Sequence, residues 1–131
     1  MYKYSESQEE RIRKDREALK RYQRNKRIIR AAARGGAENI PGEVLKRAKA
    51  EAGAAEKYFE GLSGETRIIF ESHYKNGVSL AIVGDLIGRS GNSCADLIRR
   101  QLATVSLDGK EGEAAKSRRN RSKRRRGKQQ A

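Results

Sequence analysis

The stretch LAIVGDLIGRSGNSCADLIRRQ, residues 80–101, constrains this chain more than any other part of it. Helix-forming residues break off at Gly-Arg-Ser-Gly-Asn-Ser and resume within a turn. Two helices that meet at a sharp angle need a turn residue that accepts positive φ, and Gly88 supplies one. The first helix must also let the second pass closely, so a small residue belongs four positions earlier, where Gly84 stands. The second helix must send a compact apolar side chain into the junction. Cys94, the only cysteine, is such a residue. Val83, Ile87, Leu97 and Ile98 then close the core of a helix-turn-helix.

The rest of the chain also reads as helix. Residues 5–34 contain no Gly or Pro, and Ile12, Leu19, Tyr22 and Ile29 form a thin apolar stripe with acids early and bases late. That pattern fits either a short coiled-coil seam or a helix resting on the domain. Gly35-Gly36 ends it, and Pro41 opens the next helix, to Leu62. There Val44, Leu45, Ala48, Ala52, Ala55, Tyr58, Phe59 and Leu62 make a stripe at helical spacing. Ser63 is placed to cap a helix through Lys75 whose buried side is Ile68, Ile69, Phe70 and Tyr74, and Ser79 to cap the helix 80–87. No strand signal and no internal repeat stand out. The expected fold is all-α: a helix-turn-helix domain with extra N-terminal helices and a disordered basic C-terminal tail.

Charge divides the chain the same way. Of 131 residues 35% are hydrophobic and 37% charged, too polar for all of them to share one core, so solvated arms are expected. The net charge of +14 splits into +7 over residues 1–35, zero over 36–107 and +7 over 108–131. The expected organisation is therefore a basic N-terminal helix (1–35), a neutral helical domain (36–107) and a basic tail (108–131) that stays disordered until bound. A neutral reader between two basic arms points to a polyanionic partner. No apolar run approaches the ~18 residues of a membrane span. The N-terminus lacks the apolar core of a signal peptide, so a cytoplasmic location is expected.

Residues 62–105 resemble the region-four helix-turn-helix of bacterial sigma factors. Leu62, Glu65, Ile69, Phe70, Tyr74, Gly77, Ser79, Val83, Gly88 and Ser90 match that pattern in order. The sequence departs from it at Gly84, where Ala is usual, at Arg89, usually apolar, and at Cys94, usually Val. Nothing resembles the sigma regions that melt promoters or dock on the polymerase clamp. The overall arrangement is similar to small phage late-gene transcription activators of the RinA and ArpU type. The resemblance implies a sequence-specific transcription regulator of phage or bacterial origin, bound to double-stranded DNA, with RNA polymerase and a second copy as further candidate partners.

In such a module the second helix, from near Gly91, enters the major groove by its N-terminus. Ser90, Asn92, Ser93 and Asp96 would then face base edges, and Arg99 and Arg100 late bases or phosphate. Asn92 and Ser93 could equally serve as helix caps. Asp96 could accept from a cytosine amino group, but is expected instead to orient Arg99 or Arg100, and Arg89 to touch phosphate. Arg118, Arg119, Arg121, Lys123, Arg124, Arg125 and Arg126 would hold phosphates without reading sequence. Ile82 and Leu86 form a second apolar row beside the Val83/Ile87 row, expected to lie under the 41–62 helix, with a dimer or polymerase surface as the alternative.

Catalysis finds little support. His73 is the one histidine and is expected to be structural, and one cysteine cannot build a disulfide or a Cys-based zinc site. No nucleophile–base pair, phosphate-binding glycine loop or acidic metal cluster is visible, so no enzyme, metal or cofactor is expected. Two other functions fit the same charges: a DNA-recognition subunit of a phage packaging or recombination assembly, and a basic RNA-binding protein.

Overall fold

The computed structural model describes residues 4–110. The tail arginines and lysine 118–126 singled out above lie outside those residues. Among the described residues the fold is all-α, with no β-strand. Six helices follow in order: α1 (Glu6–Lys20), α2 (Tyr22–Ala31), α3 (Gly42–Glu60), α4 (Gly64–Phe70), α5 (Leu80–Ile87) and α6 (Gly91–Thr104). Arg21 alone separates α1 from α2, and one wide turn over Glu71–Lys75 prolongs α4. No helix among the described residues is long and apolar enough to cross a membrane.

The two aromatic rings of Phe59 and Phe70 sit at the centre, both buried, 6.5 Å apart. Tyr22 meets Phe59 edge-on at 5.7 Å, and Tyr58 and Tyr74 flank Phe70 at 5.8 and 5.9 Å. Leu19, Ile69, Val83, Ile98 and Leu102 complete the same cluster. Each such buried side chain contributes roughly 1.5–3 kcal/mol over an exposed one.

The N-terminal stripe is part of this core. Ile12, Leu19 and Tyr22 are buried, and Gln8 donates from a buried position to the Ala103 carbonyl of α6 at 3.3 Å. Asp15 accepts the Leu107 N–H at 3.1 Å. The first helix therefore rests on the domain, and its apolar stripe is spent within the chain instead of forming a coiled-coil seam. The first 35 residues are basic, yet over α1 and α2 they are structural as well.

Two sequence expectations about burial fail. Ile68, placed on the buried side of its helix, is 50% exposed. Ile82 and Leu86, expected beneath the 41–62 helix, are 54% and 76% exposed. The physical reason is where α3 goes: it packs chiefly along α2, with Arg21 and Asn25 both bound to Glu51 and Lys26 to Glu56. Ser63 also sits where a cap belongs, but its side chain makes no capping bond.

Candidate nucleic-acid interface

The junction of α5 and α6 is built as its sequence requires. Ser79 caps α5 by accepting the Ile82 N–H at 3.3 Å, and the helix ends at Gly88, which takes φ +76° and ψ +32°. Only glycine adopts that region without cost. The Arg89 N–H then donates back to the Gly84 carbonyl at 2.8 Å. Ser90 caps α6 through its hydroxyl, 3.0 Å from the Ser93 nitrogen. Gly91 seats the start of α6 against the start of α5: a Cβ there would lie 3.4 Å from the Ala81 Cα. Cys94 and Ile98 are fully buried at the junction with Val83, and Leu97 and Ile87 pack on its margin.

Burial fixes which face of α6 looks outward. Cys94, Ile98 and Leu102 point into the core, so Asn92, Asp96 and Arg100, spaced four apart, form an exposed row on the opposite side. Ser90 is used as the cap, and Ser93 lends its amide to that cap and its hydroxyl oxygen to Arg89 at 3.1 Å. Of the residues expected at base edges, Ser90 and Ser93 are thus engaged in the cap, while Asn92 and Asp96 are exposed outside it.

Two of the arginines singled out from the sequence are held by carboxylates of other helices. Arg89 does not simply face solvent: its guanidinium grips the Glu65 carboxylate through two bonds, 2.6 and 3.2 Å, while also donating to Ser93. This pair ties the start of α4 to the turn before α6, and the guanidinium holds the Glu65 carboxyl below the usual carboxylate range. Arg99 turns to α1, donating to Glu9 at 2.7 Å, with its guanidinium 6.0 Å from the Tyr4 ring centre. Arg99 thus has a carboxylate partner on α1, Glu9. Arg100 stays on the exposed row.

His73 has a structural task, closing the turn before α5 by bonding the Val78 carbonyl oxygen through Nδ1 at 2.7 Å. Among the described residues no group of three or more His, Cys, Asp or Glu is placed to hold a metal ion.

Sequence reasoning missed three things here. It did not pair Glu65 with Arg89, nor Glu9 with Arg99, because partners 24 and 90 residues apart meet only in the fold. It also counted the α2 bases as charge alone, although Arg24, Arg27 and Arg30 recur every three residues and mark one side of a helix. No protein-family model, curated protein or solved structure matches this chain.

Proposed function

We propose that this protein is a sequence-specific DNA-binding transcription regulator that reads duplex DNA with α6. The observation that carries the reading is the α5–α6 unit itself: a glycine turn, a tight crossing, a second helix with its inner face buried and Asn92, Asp96 and Arg100 directed outward. A helix so held can lay its N-terminal turns in the major groove, which has the width for one. Asn92 is suited to adenine, and Asp96 can accept from a cytosine amino group. Arg89, between Glu65 and Ser93, sets the entry angle of α6. A net charge of +14 supplies attraction to any phosphate backbone.

The exposed Ile68, Ile82 and Leu86 favour a version in which the regulator works with a partner, either RNA polymerase or further copies of itself. Use of these residues for self-assembly alone would fit a DNA-recognition subunit of a packaging or recombination assembly.

The test is selection of binding sites from random duplex DNA with the full chain, followed by footprinting of the enriched sequence. An enriched motif protected in the major groove, and weakened by Asn92→Ala, supports the reading. Equal binding of selected and scrambled duplexes, or preference for structured RNA over both, overturns it.

A further inference from the structure

The α5–α6 segment holds few cations for the backbone of the DNA it would read. Two of its three arginines, Arg89 and Arg99, are in ion pairs with carboxylates of other helices. Asp85 and Asp96 are exposed on the same two helices. Phosphate contacts position a reader on its site, so an interface of this composition needs positive charge from a neighbouring surface.

Such a surface lies beside the loop that leads into α5. There α2 and the turn at Lys75-Asn76 enclose a groove of about 610 Å³, with Lys26, Arg27, Arg30 and Lys75 in its walls. Its single carboxylate among the described residues, Glu56, is occupied, accepting from the Tyr22 hydroxyl at 2.8 Å and from Lys26 at 3.0 Å. Among the described residues Arg27, Arg30 and Lys75 stand in no direct ion pair, Lys75 acting on the Glu56 carboxylate only from a distance, and all three are exposed. Gln23 and Asn76 add amide groups to the same walls. The lining is cationic and polar, suited to phosphate oxygens and not to an apolar guest.

Position connects this groove to α6. Gln23 lies over Gly77, where an added Cβ would come within 2.6 Å of its Nε2. Two residues on, Ser79 caps α5, and the following turn, at Leu80-Ala81, is where Gly91 seats the start of α6. The groove therefore borders the loop that leads into α5, and the first turn of α5 in turn takes the entry end of α6.

We propose that Arg27, Arg30 and Lys75 form a phosphate-binding track for the duplex backbone that flanks the stretch read by α6. The inference rests on the DNA-reading function above and adds to it the surface that fixes the reader's register. Three phosphates held there contribute about 2.7 to the slope of log affinity against log salt.

The experiment compares the full-length wild type, Arg27→Ala/Arg30→Ala/Lys75→Ala and Asn92→Ala on a selected and a scrambled synthetic duplex across a salt series, with footprinting of the backbone. The triple variant is expected to lower the slope by about 2 to 3 on both duplexes. It should also lose protection at phosphates outside the α6 half-site while keeping sequence preference. The charge-retaining Arg27→Lys/Arg30→Lys variant should restore the slope, and an unchanged thermal transition should show that all variants fold. An unaltered slope and footprint in the triple variant, with wild-type preference intact, overturns the track but leaves the DNA reading standing. A lowered slope on duplexes that the wild type never distinguished keeps the track and overturns the reading. Loss confined to an RNA hairpin, with duplex binding unchanged, overturns the track as a duplex site.

Discussion

The backbone of Gly84 lies so close to the carbonyl of Arg89 that a Cβ there would come within 2.3 Å of the oxygen. Backbone cannot swing aside as a flexible side chain can, so α5 and the turn after Gly88 fit only without that methyl group. Gly84→Ala should therefore cost about 1–3 kcal/mol as the α5–α6 crossing opens. Gly53→Ala is the matching control: its Cβ would meet nothing within 4 Å in the middle of α3. That change should stabilise by about 0.4–1 kcal/mol. Urea unfolding of the two variants checks both signs, and stability gained at Gly84 would show that the crossing is looser than described.

Cys94 fills the same junction and is fully buried. Native protein should resist thiol reagents and react once unfolded. Cys94→Val should keep the fold, whereas Cys94→Asp should cost several kcal/mol by placing a carboxylate among Val83 and Ile98 (roughly the range for an unpaired buried polar or charged group). Rapid stoichiometric labelling of native protein would contradict this placement.

Periodicity in the sequence marks which face of a helix is apolar, but it does not say what covers that face. The α5–α6 break, Gly88, Gly84 and Cys94 were legible because each is a local steric requirement. The Ile12/Leu19/Tyr22 stripe and the Ile82/Leu86 row look alike in sequence, yet the first is buried and the second is exposed. Only the path of α3 along α2 separates them. In consequence Leu86→Ala and Ile82→Ala should change stability by no more than about 0.5 kcal/mol, while Leu102→Ala should cost about 2–5 kcal/mol. Leu86→Asp should leave the fold intact and show its effect in sedimentation or in polymerase binding. A large loss of stability in Leu86→Ala would mean that the row is covered after all.

Acid should loosen the seam between α2 and α3. The Arg21 hydrogen bonds lower the Glu51 carboxyl below its ordinary 4.5, and those from Tyr22 and Lys26 do the same for Glu56. With folded values below unfolded ones, their contribution is complete above the unfolded value and is lost as pH falls through the folded values. Asp15 runs the opposite way, raised chiefly by burial, so protonating it offsets part of that loss. Urea midpoints measured from about pH 7 down to about pH 3 should fall for the wild type and fall less for Glu51→Gln/Glu56→Gln. Parallel curves for the two proteins would remove these carboxylates as the cause.

If α6 reads DNA as proposed, Glu65 sets how much of Arg89 a phosphate backbone can use. In the free protein both carboxylate oxygens take the guanidinium, which bridges onward to Ser93 at the start of α6. Removing the carboxylate charge has two opposing consequences. It releases a cation beside the proposed groove-reading helix and removes a negative charge from that surface, and it weakens the strap that sets the angle of α6. Electrostatics acts on every duplex alike, whereas the angle matters only for a helix that must register with base edges. Glu65→Gln should therefore tighten binding to scrambled DNA and steepen its salt slope by about 0.9, the share of one added phosphate contact. The selected duplex should gain less, so discrimination should narrow. Arg89→Ala should narrow discrimination as well, without the gain on scrambled DNA. A salt titration of both variants on both duplexes separates the effects. If Glu65→Gln left scrambled binding and slope at wild-type values, Arg89 would be a strap only, with no phosphate in reach.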